Sequence, residues 1–245
     1  GLEARLVTDE RLTPRAVPTW ASSLRQVIAD FQPDVVFAQS ITAAAAVAVG
    51  GGGVPLLVML HGIPDERERQ ASLVLRASRA RVVAVSDQTA AGIRRHWGAP
   101  RVEVVRSGID VAEQERLAGL GVSVALPEGS PRFVFVGRFH PQKATEVLLE
   151  GFAGALGGLP GAVLVACGVG PEWEERKAQA VALGIADRVA FPGAVSNPAA
   201  FMRDADVFVL PSRWEGLPMV LLESFAVGCP AVASAVDGTP LVVRE

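Results

Sequence analysis

Short apolar runs, each about the length of one strand, recur along the whole chain and alternate with segments of helical character. They cover residues 4–8, 34–39, 56–61, 81–86 and 102–106, then 133–137, 163–168, 188–191, 206–211 and 230–235. Most are continuous rather than alternating and rich in Val. A strand with no polar face is covered on both sides, as parallel strands with crossover helices are. The expected fold is α/β, with two doubly wound, Rossmann-like parallel sheets.

Two sheets need a boundary. The break falls between about Asp110 and Arg132, where the stretch 118–131, AGLGVSVALPEGSP, carries Gly, Pro and Ser without periodicity and reads as an interdomain linker. The expected domains are therefore 1–124 and 125–245. In open α/β sheets, ligands bind beyond the carboxyl ends of the strands. A two-domain version is expected to hold its ligand in the cleft between them.

Composition narrows the choice of partner. The formal net charge is −3, and neither part has the basic excess that nucleic-acid binding requires. Cys167 and Cys229 sit in apolar surroundings and read as free thiols in a reducing, cytoplasmic compartment. Residues 35–64 contain no Asp, Glu, Lys or Arg, yet Gly50–Gly53 and Pro55 interrupt them. Their apolar runs fall short of the roughly 20 residues of a membrane span. They read as strand, Ala-rich helix, Gly loop and strand. The start, GLEARLVTDE, is charged, lacks Met and does not resemble a signal peptide.

The chemistry concentrates in the later half. The run at 133–137 leads directly into Arg138-Phe-His-Pro-Gln-Lys143, with a helix expected over 144–156. Arg138 then leaves a strand end and Lys143 stands at the next helix start. A diphosphate suits such a pair, Arg as a planar fork and Lys as a point charge.

After the run at 206–211 comes Ser212-Arg-Trp-Glu215-Gly-Leu-Pro218-Met-Val-Leu-Leu-Glu223. Pro218 suits a first helical turn, and Gly228 with Pro230 marks the end. Residues 217–227 are apolar nearly all round, so this helix is expected to be buried. Glu223 in its middle needs a partner, and the adjacent hydroxyls of a ribose would provide one. The helix start around Gly216, Leu217, Pro218, Met219 and Val220, with its free N–H groups, offers an anion and hydroxyl site that would bind the donor. Glu215 stands at that end, two helical turns or about 10 Å from Glu223.

These residues carry a resemblance. The pattern G-R-x4-K, followed by P-S-x-x-E-G-x-P-x-x-x-L-E-x-F-A-x-G-x-P, is similar to the group 1 (family 4) retaining glycosyltransferases of the GT-B fold. The resemblance implies that Gly137, Arg138 and Lys143 face the donor diphosphate, and that Glu215 and Glu223 are the family's E-x7-E pair. Gly168 and Gly170 match its G-x-G-P loop. His61, after Leu60, matches a strand-end His near the donor sugar. Val85-Ser86 and Ser107-Gly-Ile-Asp110 match segments closing the first domain. It further implies a nucleotide diphosphate sugar as donor substrate, no cofactor or metal, and an acceptor that the sequence leaves open. The alternatives are a GT-B sugar phosphorylase and a non-catalytic nucleotide-sugar-binding domain.

The sequence departs from the pattern in places. Lys143-Ala144 stands where K-G is usual, and Asp237-Gly-Thr-Pro-Leu241 where G-G-x-P-E is frequent. The resemblance begins at the family's second strand and stops short of its C-terminal helices, so both domains are expected to be incomplete. Asp204-Ala-Asp206 is a D-x-D triplet, but it straddles a helix end and a buried strand, where Asp206 is expected to bond backbone. His96 and His140 read as loop or surface residues. Arg76, Arg79, Arg81 and the Arg94-Arg95-His96-Trp97 cluster could make a peripheral contact with anionic lipid; a solvated helix face is the favoured reading.

Overall fold

Nine strands among the described residues fall on nine of the ten apolar runs. The computed structural model describes Arg15, residues 17–122, Val124 and residues 126–243, so the run at 4–8 lies outside the described residues. The chain divides into two compact units, Gly1–Arg106 and Ser107–Glu245.

In the first unit, α1 (Val17–Phe31), β1 (Val36–Ala38), α2 (Ile41–Gly50), β2 (Leu56–Leu60), α3 (Asp65–Ser78), β3 (Arg81–Ala84), α4 (Asp87–Arg94) and β4 (Val102–Val104) follow in order. The four strands lie parallel in the order β1-β2-β3-β4. Strands that advance in one direction by crossovers of one hand place their helices on one side. Accordingly α2 packs on α3 and α3 on α4. Ala38, Val58, Leu60, Val82 and Ala84 are buried beneath them. Leu57, Met59 and Val83, on the other face, are only half-buried and Phe37 is exposed. Among the described residues the crossovers from β1 to β4 cover one face only, so the expected burial on both faces is not seen for these strands. The uncharged stretch 35–64 resolves into β1, α2, a Gly turn and β2. No helix among the described residues is long and apolar enough to cross a membrane.

The second unit opens with α5 (Val111–Ala118), capped by Asp110, whose Oδ1 accepts from the Glu113 N–H at 3.0 Å. It continues with β5 (Arg132–Val136), α6 (Thr145–Ala155), β6 (Val163–Cys167), α7 (Trp173–Ala182), β7 (Val189–Gly193), α8 (Pro198–Arg203), β8 (Val207–Leu210), α9 (Met219–Ala226) and β9 (Ala231–Ala233). The parallel order β7-β6-β5-β8-β9 reverses direction after β7. Crossovers before and after the reversal then cover opposite faces, and β6 is buried along its whole length.

Helix α5 packs on α8 and α9. Asn197 Nδ2 and an Arg203 guanidinium nitrogen donate to the carbonyls of Leu117 and Glu115 at 2.7 and 3.0 Å. Val122 and Leu126 lie against the same core. Residues 107–124, which the sequence reading groups with the first domain, thus belong to the second compact unit.

Both cysteines are buried and free. Burial pushes the Cys167 thiol up to about 12, so it is an inert core group.

Candidate functional site

The strand end of β5 is held by an aromatic anchor. Phe139 is buried and meets Phe135, Trp173 and Phe191 with ring centroids 5.8, 4.9 and 6.2 Å away. Its neighbour Arg138 therefore faces solvent, and its guanidinium has no ion-pair partner among the described residues. A 3-10 turn, Pro141–Lys143, follows. His140 is a structural cap: its Nδ1 accepts from the Gln142 N–H at 3.2 Å. Ala144, at the K-G position, is buried with φ of 47°. That left-handed conformation is the reason a glycine suits the position.

The glycines of the β6–α7 loop have a packing role. A Cβ on Gly168 would come within 1.8 Å of the Gly137 carbonyl oxygen, and one on Gly170 within 2.1 Å of the Phe139 carbonyl oxygen. The Phe139 N–H donates to the Val169 carbonyl at 3.1 Å. The two loops run backbone against backbone, which accounts for both glycines.

The loop after β8 is joined to the loop after β5. The Arg213 N–H donates to the Gln142 carbonyl at 2.8 Å, and Gln142 Nε2 to the Trp214 carbonyl at 3.0 Å. The Arg213 guanidinium reaches the Pro141 carbonyl and the Glu146 carboxylate. The zipper ends in an ion pair: Lys143 Nζ lies 2.5 Å from Glu215 Oε1, with side chains 17% and 7% exposed. From the other side, Asp237 Oδ2 accepts from the Glu215 N–H at 2.7 Å.

Helix α9 begins at Met219 with Pro218 as its N-cap, one position outside the first turn expected for it, and Glu215 stands in the preceding loop as expected. The helix is buried on one side only; Leu221 and Ser224 face inward and Phe225 is exposed. The N–H groups of Gly216, Leu217, Met219 and Val220 find no acceptor among the described residues. Glu223 is half-buried on the same helix without a hydrogen-bond or ion-pair partner there, and burial pushes its carboxyl above the ordinary range. No Arg partner accounts for it among the described residues; the other plain alternative, a partly exposed helix face, matches its half-buried place.

Other expected residues take different places. His61 follows β2 in the first unit and is exposed. Ser86 is buried there as the cap of α4, its Oγ accepting from the Thr89 N–H at 3.1 Å. Asp206 bonds backbone, accepting from the Arg132 N–H at 2.7 Å. No His, Cys, Asp and Glu side chains cluster as a metal site among the described residues. The basic cluster is engaged within its own unit. Arg95 and His96 face the buried Glu68 at 2.7 and 3.3 Å, and the Arg76 guanidinium stacks over Trp97 at 5.2 Å. Sequence reasoning missed Glu68; the trace was Gly92, where a Cβ would come within 2.1 Å of its Oε1.

Residues 122–245 match the family described as Glycosyl transferases group 1, and residues 4–113 the family described as Glycosyltransferase Family 4. This chain belongs to the group 1 glycosyl transferases. D-inositol 3-phosphate glycosyltransferases of Mycobacterium bovis and Mycobacterium tuberculosis are 32% identical to it over 216 residues, 82% of this chain and 41% of theirs. The chain thus spans about two fifths of the length of these curated relatives. Among solved structures it is similar to HepE of Anabaena in complex with UDP and glucose, with a TM-score of 0.74, 20% identity, and coverage of 91% of this chain and 65% of that one. It is also similar to sucrose-phosphate synthase of Thermosynechococcus elongatus, with a TM-score of 0.76, 22% identity, and coverage of 98% and 65%. The fold of the group 1 chain is therefore α/β of the GT-B type, with two parallel sheets.

Proposed function

We propose that the protein is a retaining glycosyltransferase that moves a sugar from a nucleoside diphosphate donor to a hydroxyl-bearing acceptor. The observation that carries this reading is the joining of the loops after β5 and β8 through Lys143 and Glu215. It gathers a cation, a carboxylate and the unpaired N–H groups of Gly216, Leu217, Met219 and Val220 in one unit. The solvent-facing guanidinium of Arg138 leaves the neighbouring loop. HepE, a fold neighbour, has been seen with UDP and glucose, which supports a nucleotide sugar as the ligand.

Breaking the bond between sugar and diphosphate builds negative charge on the diphosphate and positive charge on the anomeric carbon. Arg138, Lys143 and the N–H groups ahead of α9 oppose the first, and they do so without a metal in the scheme. Glu215 holds sugar hydroxyls, and Glu223, lacking a protein partner, takes the ribose hydroxyls. Among the described residues of the second unit no side chain offers an obvious nucleophile for double displacement. Retention then follows from same-face attack, with the leaving phosphate oxygen taking the acceptor proton. His61 is assigned to the donor sugar by resemblance.

The test is a screen of the full-length protein against UDP-, ADP- and GDP-sugars, with products followed by mass spectrometry and their anomeric configuration read by NMR. A product with the donor's configuration is expected. An inverted product would overturn the retaining mechanism. Sugar 1-phosphate formed only with added phosphate would identify a phosphorylase. Nucleotide binding without turnover would leave a binding domain.

A further inference from the structure

We propose that Asp237 is a positioning residue for the donor site, a role that rests on the glycosyltransferase reading above. It stands where the resemblance leads one to expect the first glycine of G-G-x-P-E, and its backbone keeps the glycine-type conformation, with φ of 44°. A non-glycine residue in the left-handed region costs roughly 1 kcal/mol or more. Here the strained residue directs a carboxylate to the Glu215 backbone: Asp237 Oδ2 accepts from the Glu215 N–H at 2.7 Å.

That bond orients a peptide whose neighbours matter. The Trp214 carbonyl is turned towards Gln142 Nε2 at 3.0 Å. The Gly216 carbonyl lies against Gly238, where a Cβ would come within 1.9 Å of its oxygen. With Glu215 N–H turned to Asp237 and both flanking carbonyls turned to protein, the N–H groups of Gly216 and Leu217 remain for a ligand. Lys143 fixes the carboxylate end of Glu215, and Asp237 fixes its backbone end. Dipoles set in place before reaction need no reorganisation during it, which is the basis of electrostatic catalysis. Asp237 touches no reacting atom and acts through Glu215.

The experiment compares Asp237→Gly and Asp237→Asn in the full-length protein, using the nucleotide sugar that supports turnover in the screen above. Glycine relieves the backbone and removes the acceptor; asparagine tolerates the left-handed region and keeps an acceptor oxygen. D237G is expected to bind the nucleoside diphosphate within about threefold, while kcat falls about tenfold or more. D237N is expected to restore kcat to within about threefold of wild type. A D237G protein with undiminished kcat overturns the proposal. So does a D237N protein as slow as D237G, since charge rather than the bond would then be responsible. A wild-type protein that neither binds nucleotide nor transfers sugar defeats the glycosyltransferase reading itself, a result separate from all of these.

Discussion

Lys143 Nζ and Glu215 Oε1 lie 2.5 Å apart although the residues are 72 positions distant in sequence. One stands at the entrance to α6, the other in the loop before α9, and both side chains are mostly withdrawn from water. Two charges so placed are tolerated because each answers the other; removing one leaves the other buried and unpaired. The pair holds two loops together and presents a cation and a carboxylate at one place.

Lys143→Ala should therefore have two effects. Turnover should fall by about a hundredfold or more, on the order of 3 kcal/mol, through loss of charge stabilisation on the leaving diphosphate. Stability should fall by about 1–3 kcal/mol, because Glu215 loses its counter-charge. The double variant Lys143→Met, Glu215→Gln separates them: chemical denaturation should show stability largely recovered, and steady-state kinetics should show turnover still lost. A double variant with wild-type turnover would remove both side chains from the chemistry.

Ala144→Gly should stabilise the second unit. Ala144 has φ of 47°, which glycine adopts without steric cost, and the gain is about 0.5–1 kcal/mol or about 1–4 °C in Tm. Calorimetry of wild type and variant checks it. A lower Tm would mean that the buried methyl outweighs the backbone strain.

Glu223 links stability to pH with a definite sign. Burial pushes its carboxyl above 4.5, so between 4.5 and the raised value the folded chain holds a proton that the unfolded chain releases. Its contribution to stability is full below 4.5 and is lost as pH rises through that window. Glu223→Gln should make the ligand-free protein more heat-stable at pH 7, with the difference closing in acid. Nucleotide affinity should move oppositely, by about tenfold or more, the worth of one charged hydrogen bond. Titration calorimetry and melting curves at two pH values read both effects.

Most of the strand framework was legible because a continuous Val-rich run between turn residues has almost nowhere to go but a strand; β1 to β9 all lie on such runs. Helix α5 was not, because Gly119, Gly121 and Pro127 after it carried the linker reading across a short helix whose Asp110 cap stood in plain view. The apolar run of α9 suggested burial all round, yet Phe225 faces solvent, since composition cannot say how many neighbours a helix will have. In the site, Arg138, Lys143, Glu215 and Glu223 were all named from local context. That Lys143 would bond Glu215, and Asp237 the Glu215 backbone, depended on contacts 72 and 22 residues long, which no local pattern encodes. Glu68 was hidden for a related reason: among the charges of Asp65–Ser78, only the neighbouring helix decides which one is buried.

The claim that a diphosphate lies against Arg138 is tested most directly by titration calorimetry of the full-length protein and its Arg138→Gln variant. Each is titrated with a nucleoside diphosphate and with the parent nucleoside. Loss of a charge-assisted bond of about 1.5–3 kcal/mol should weaken diphosphate binding by about 10- to 100-fold and leave nucleoside binding unchanged. Equal diphosphate affinity in the two proteins, or an equal loss for the nucleoside, would contradict the account.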